Sequence, residues 1–254
     1  MSKVGSAVWA ALPPLLMLAA LLAVWQLYVE ASGISAVTLP SPTRILEGLW
    51  RGRDVISHHA WVTLRETLYG LGVALVLGVT LALLIDAFAP VRRAVYPLIV
   101  GSQTIPIVVI APLLVLWFGN GLLSRAAISA LFAFFPVLVN SARGLRLTDQ
   151  ATLDLLQSYG ANRRQLFWTL RVPQCLPFLF TGLKIGATLS VIGAIVGEFA
   201  GASAGLGYLI TVSTYYLETD LTFAAVAVAS LLGIGLYLAL LALEHWLVFW
   251  QRPS

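Results

Sequence analysis

Leu221–Leu243 reads LTFAAVAVASLLGIGLYLALLAL, 23 consecutive residues without an Asp, Glu, Lys or Arg. A helix of that length rises about 34 Å, enough to cross roughly 30 Å of hydrocarbon. A charge-free run this long is too apolar for a water-facing surface, so it places the chain in a membrane. The wider composition agrees: of 254 residues, 59% are apolar and 10% charged, with a mean hydropathy of +0.92. A soluble domain typically carries about 25% charged residues to face water. The formal net charge of +4 comes from arginines scattered through loops, not from a basic block, which argues against nucleic acid as a partner. With the single cysteine, Cys175, neither an intrachain disulfide nor a Cys-based metal site can form. His58 and His59 are adjacent, without the i, i+4 spacing of a helical metal pair, and read as loop or interface residues.

Outward from Leu221–Leu243, five more runs read as spans. Ala7–Val29 is charge-free, carries Pro13-Pro14, and exceeds the roughly 7–15 residues of a signal core, so it is expected to be a retained first span. Leu68–Ile85 extends back toward Trp61. Ala94–Phe118 carries Pro97, Pro106 and Pro112; Ala126–Ala142 contains Pro136; Pro177–Gly197 contains one charge, Lys184. The expectation is an all-α polytopic membrane protein with six transmembrane helices, forming one domain over 1–254. Interior prolines kink a helix, and in lipid the freed carbonyls need partners from protein or water. The third span, with Ser102-Gln103-Thr104 and Pro106, is therefore the best candidate to line a pathway, the alternative being a kinked structural helix. Thr188 on the fifth span and Glu198 at its outer end complete the candidate pathway set. Glu198 also fits an interfacial acid, and Lys184, about two turns into its span, either snorkels to the interface or acts in the pathway. Trp9, Trp25, Trp61, Trp117, Trp246 and Trp250 near span ends fit an aromatic belt.

Loop charges give the orientation. Lys3, Arg92, Arg93, Arg143, Arg146, Arg163, Arg164, Arg171 and Arg252 fall on one side, nine in all, against five on the other: Arg44, Arg51, Arg53, Arg65 and Arg125. Both termini and the long loop 144–173 are thus expected in the cytoplasm. On the outer side, Leu39-Pro40-Ser41-Pro42 begins a turn, Thr43–Trp50 reads as a short amphipathic helix, and Gly201–Tyr208 is glycine-rich and too short to span.

The loop 144–173 has a helix–glycine–helix pattern. Asp149 reads as the N-cap of a first helix with Leu153 and Leu156 on one face, and Tyr159-Gly160 ends it. Asn162 caps a second helix with Gln165 in capping-box position, and Pro173 is expected to end it. Arg163 and Arg164 fall in the first turn of that helix, where cations oppose the helix dipole. Their placement fits contact with acidic groups on a partner or with lipid headgroups, and a positive-inside signal accounts for them equally well.

This loop resembles the cytoplasmic motif of permease subunits of bacterial ATP-binding-cassette importers: Glu-Ala-Ala, three residues, Gly, nine residues, Ile-x-Leu-Pro. Here it reads Asp154-Leu155-Leu156, three residues, Gly160, nine residues, Leu170-Arg171-Val172-Pro173, departing from the paired alanines at Leu155 and Leu156. Further stretches resemble the nitrate/sulfonate/taurine group: Leu39-Pro40-Ser41-Pro42, Ile110-Ala111-Pro112-Leu113 through Trp117-Phe118-Gly119, Val196-Gly197-Glu198-Phe199, and Gly205-Leu206-Gly207-Tyr208-Leu209-Ile210. Ser158-Tyr159-Gly160-Ala161 and Gly182-Leu183-Lys184-Ile185 look closest to the branch for thiamin-precursor pyrimidines or riboflavin.

The resemblance implies a type I importer permease fold and no enzymatic activity in this chain. It further implies a homodimer in the bacterial inner membrane, two ATPase subunits that use ATP and Mg, and an extracytoplasmic substrate-binding protein. Asp154, Ser158, Tyr159, Gly160, Ala161, Arg163 and Arg164 would then form the ATPase-coupling surface. The chain has no Gly-x-x-x-x-Gly-Lys-Ser/Thr loop of its own. A stand-alone channel or ion-coupled carrier is the rival class and would need intramembrane acids or a basic filter; the six runs offer only Lys184. A membrane-embedded enzyme would need paired carboxylates, a metal cluster or a nucleophile–base pair in the bilayer, and none of these is evident.

Overall fold

Apolar runs with few charges make helices throughout this chain, and prolines and glycines decide where most of them stop. The computed structural model describes residues 3–102, 104–147 and 150–251, with side chains from 12 onward except at 96, 100, 102, 150 and 251. The helices are α1 (Lys3–Ser32), α2 (Pro42–Arg51), α3 (Arg53–Ala87), α4 (Ala89–Ser102), α5 (Ile107–Phe118), α6 (Leu122–Arg146), α7 (Gln150–Ser158), α8 (Arg163–Leu166), α9 (Val172–Phe199), α10 (Leu206–Tyr215) and α11 (Thr219–Leu247). A π-turn, Phe167–Arg171, joins α8 to α9. Among the described residues, five helices are long and apolar enough to cross a membrane: α1, α3, α6, the joined α8–α9 and α11. The shorter apolar helix α5 accompanies them. The short outer helix expected over Thr43–Trp50 is α2, with Pro42 at its first position, where a missing N–H costs nothing.

The third expected span is not one helix. It is divided into α4 and α5, and Gln103 lies outside the described residues. Pro106 makes the break: it donates no N–H, disfavours a helical Ile105, and sits in extended conformation as the N-cap of α5. Thr104 closes α4, its N–H and Oγ1 both donating to the Gly101 carbonyl, at 3.1 and 2.7 Å. Pro97 and Pro112 stay inside their helices.

Pro173 likewise does not end the second loop helix. Arg163–Phe199 is continuous over 37 residues. The π-turn widens the helix just before Pro173, so that the Val172 N–H bonds five residues back, to Phe167. The shifted register absorbs the hydrogen bond that proline cannot make. The expected second span is also longer than read, since α3 runs for 35 residues.

The chain divides into two compact units, Met1–Ser57 with Leu209–Val228, and His58–Tyr208 with Ala229–Ser254. In the first, α1 exposes Leu15, Leu16, Met17 and Leu18. The Trp25 ring meets Phe223 with centroids 6.1 Å apart, and Thr219 donates to the Val37 carbonyl at 2.8 Å.

The second unit is organised by α6 against α9. Leu71, Ala74, Ala130, Ala133, Val137, Leu183 and Ala187 form its buried centre, with Leu236 and Leu240 of α11 packed on it. Small residues let the backbones approach: a Cβ at Gly182 would stand 2.7 Å from the Pro136 carbonyl and 3.1 Å from the Val137 Cα. A hydroxyl ladder adds specificity, since Ser129 Oγ lies 2.6 Å from Ser190 Oγ, which donates to the Thr67 carbonyl at 3.1 Å.

The Gly182→Val variant is expected to wedge α6 from α9 and lower stability by roughly 1–3 kcal/mol. Thermal unfolding in detergent reads this, with Gly233→Ala, where nothing lies within 4 Å of the added Cβ, as the control expected to lose no stability.

Candidate functional site

Two places concentrate polar chemistry, at opposite ends of the α8–α9 rod. The first is the α7–Gly160–α8 element. Gly160 takes φ +83°, a left-handed conformation that strains any residue with a side chain. The Gly160 N–H donates to the Gln157 carbonyl at 2.8 Å and the Ala161 N–H to Leu156 at 3.0 Å, the paired bonds of a Schellman ending. One residue on, the expected capping box is complete: Gln165 N–H donates to Asn162 Oδ1 at 2.9 Å and Asn162 N–H to Gln165 Oε1 at 2.8 Å. The expected N-cap of α7, Asp149, lies outside the described residues.

These local bonds fix the end of α7 and the start of α8, with Gly160 at the tip between them. Leu155 and Tyr159 are exposed, Tyr159 by 82%. Asp154, Ser158, Gly160, Arg163 and Arg164 are exposed with them, while Leu156 and Ala161 are half-buried. No atom lies within 4 Å of a Cβ built at Gly160, so backbone conformation, not crowding, demands glycine there.

The second place was not legible as a cluster. Glu198, expected on a pathway or at the interface, is only 2% exposed and belongs to neither surface of this subunit. Thr63 Oγ1 donates to its Oε1 at 2.6 Å, and the Gly207 N–H donates to its Oε2. Thr63 Oγ1 in turn accepts from the Leu206 N–H at 2.8 Å, and His59 Nδ1 accepts from the Gly205 N–H at 3.0 Å. Gly205 has φ +115°, and a Cβ there would land on the Glu198 carboxyl. At the other end of this glycine segment, Asn120 Nδ2 donates to the Gly201 carbonyl. Asn120 Oδ1 accepts from Arg125 Nη2 at 3.3 Å, and Arg125 Nη1 donates to Glu66 Oε1 at 2.7 Å. Side chains of α3, the α5–α6 turn and α9 thus hold 201–207 by its backbone. His59, expected in a loop or at an interface, lies on α3 and is part of this clasp.

Arg125, read as an outer-loop cation, is a buried partner of Glu66. Lys184 does not stand alone: its Nζ donates to Glu244 of α11 at 2.6 Å and lies 6.0 Å from the Tyr237 ring. The spanning helices therefore hold more charge than the sequence runs suggested, and charge counting does not separate a carrier from a permease. Of the remaining candidate pathway residues, Thr104 and Pro106 are exposed at the α4–α5 break, and the Ser102 side chain lies outside those described. Thr188 is half-buried, its hydroxyl donating to its own helix at Ile185. No metal-binding group of three or more His, Cys, Asp or Glu occurs among the described residues. The signal that could have revealed the clasp is a polar stripe on an apolar helix, since His59, Thr63 and Glu66 fall at i, i+4 and i+7 of α3, one face.

Residues 74–252 match the family of binding-protein-dependent transport system inner membrane components. The chain is 39% identical to the formylaminopyrimidine transport permease protein of Halalkalibacterium halodurans, covering 96% of this chain and 98% of that one. It is 36% identical to the riboflavin transport system permease protein of Chloroflexus aurantiacus, covering 94% and 90%. With the taurine transport system permease protein of Escherichia coli it shares 30% identity, covering 92% and 88%.

The Arg125→Met variant leaves Glu66 buried without its cation and is expected to lower stability by about 3–5 kcal/mol. The double variant Arg125→Met, Glu66→Met should lose far less. Thermal unfolding of both proteins reads the difference; equal losses would contradict the pairing.

Proposed function

Because the chain belongs to the family of binding-protein-dependent transport system inner membrane components, it is the permease subunit of an ATP-driven uptake system, and we propose that its ATPase grips the α7–Gly160–α8 element. A permease of this family is a multi-pass inner-membrane protein that works with an ATPase and a substrate-binding protein. The observation that carries the docking surface is the exposed Leu155 and Tyr159 at a tip that two helix caps hold rigid. An apolar side chain facing water on a rigid tip favours burial by a partner. Asp154, Ser158 and Ala161 complete this surface, and Arg163 and Arg164 supply charge for acidic groups beside it. The loop 144–173 is thus a coupling element within a permease domain covering 1–254.

In this reading the transporter contains two copies of this chain and two ATPases, and ATP and Mg are used on the ATPases. Both termini face the cytoplasm, supported by the nine-to-five bias of Lys and Arg between the two sides. The solute passes between the two copies beside the α4–α5 break, with Ser102, Gln103, Thr104, Pro106 and Thr188 as candidate lining groups. Glu198 is left out of that set because it is buried within one subunit. The solute itself is a small heterocycle of the vitamin-precursor kind. The support is that the relatives at 39% and 36% identity are named for a formylaminopyrimidine and for riboflavin, above the 30% of the taurine permease.

Co-purification in detergent tests the docking surface. The Tyr159→Ala variant should weaken capture of the ATPase, and Gly160→Trp should abolish it while the spans remain inserted. Full capture by both variants would contradict the assignment. For the solute, uptake of labelled formylaminopyrimidine by vesicles holding the complete transporter should be displaced by a riboflavin-class heterocycle and not by taurine. Displacement by taurine alone would point to the sulfonate branch.

A further inference from the structure

The α8–α9 rod begins at the docking element and ends at the glycine clasp. At 1.5 Å per residue its 37 residues span about 55 Å, long enough for its ends to reach past both faces of roughly 30 Å of hydrocarbon. The rod is tied to α3 near each end. Arg171 Nη1 donates to Asp86 Oδ2 at 2.8 Å beside the docking element, and Glu198 accepts from Thr63 at 2.6 Å at the far end. Between these ties, the Ser190–Thr67 bond and the packing of Leu183 and Ala187 with Leu71 and Ala74 keep the two helices together. Cross-tied in this way, α3 and α9 cannot slide past one another without breaking bonds at both ends.

The far tie holds more than two helices. Glu198 and Thr63 also accept the N–H groups of Gly207 and Leu206, and the carbonyl of Glu198 accepts from Gly201 and Ala202 at 3.3 and 3.0 Å. The segment 201–207 therefore hangs on the end of the rod by its own backbone. With Gly205 lying against the carboxyl, it has no room to shift while those bonds stand.

We propose that Glu198 and Thr63 are positioning residues for transport: they make the glycine segment 201–207 travel with the α8–α9 rod, so that a push on α8 arrives across the membrane as movement of this segment. The proposal rests on ATPase docking at the α7–α8 element. A clasp with a merely structural role would keep the segment in one environment whatever nucleotide the ATPase holds.

Ser203 is exposed on the segment and serves as the reporter position. The parent is Cys175→Ser with Ser203→Cys, assembled with its ATPase subunits. A membrane-impermeant maleimide is applied without nucleotide and again with ATP, Mg and vanadate. The parent should capture ATPase and label at rates that differ roughly tenfold between the two conditions, as expected for a segment that changes its protection. Adding Thr63→Val or Glu198→Gln should make the two rates equal and abolish uptake, with ATPase capture retained. Thr63→Ser, which keeps the hydroxyl, should restore both the rate difference and uptake. A parent whose labelling ignores nucleotide, a difference that survives Thr63→Val in full, or failure of Thr63→Ser to rescue would each overturn the proposal. A parent that captures no ATPase would instead remove the docking reading, and this inference with it.

Discussion

Hydrocarbon offers no water, so every polar group this chain carries into the membrane must find its partner in protein. That constraint explains which residues sit where. Arg125 pairs with Glu66 and Lys184 with Glu244, each joining two different helices. The hydroxyls of Ser129 on α6 and Ser190 on α9 follow the same rule. Apolar packing brings these helices together, and polar pairs fix which faces meet. In lipid, removing one partner strands the other, so the pairs specify a single register more strongly than they stabilise it.

The two ends of the rod satisfy their backbone groups in different ways. Where α9 stops, the backbone groups of the following glycine segment are taken up by His59, Thr63, Asn120 and Glu198. Where α8 begins, local caps suffice: Asn162 and Gln165 satisfy one helix start, and Gly160 closes the helix before it. One end is therefore embedded in its own subunit, while the other is self-contained and free to present its side chains outward. A rigid connector with one buried end and one presented end suits a subunit that is driven from outside by a separate ATPase.

What the sequence reveals follows from how local the physics is. The spans were legible because hydropathy acts over about 20 residues of a single segment. The glycine ending at Gly160 and the capping box at Asn162 were legible because all their partners lie within five residues. Proline was legible only in part: Pro106 breaks a helix that Pro97 and Pro112 do not, and Pro173 is absorbed by the π-turn before it. Those outcomes depend on neighbouring carbonyls and packing that residue type alone does not report. The clasp was hidden because its members are separated by up to 146 positions in the chain. Arg125 and Glu198, at the edges of apolar runs, look in sequence like ordinary interfacial charges. Only the polar stripe His59, Thr63 and Glu66 on α3 gives a trace of it in advance.

The central claim is that this permease meets its ATPase through the tip at Leu155, Tyr159 and Gly160. Hydrogen–deuterium exchange of the purified chain, alone and in complex with the ATPase subunit, tests it most directly. The account predicts slowed exchange of backbone amides over 153–165 in the complex, with the glycine segment 201–207 protected in both samples by its side-chain clasp. Unchanged exchange over 153–165, with protection appearing at another loop, would contradict it.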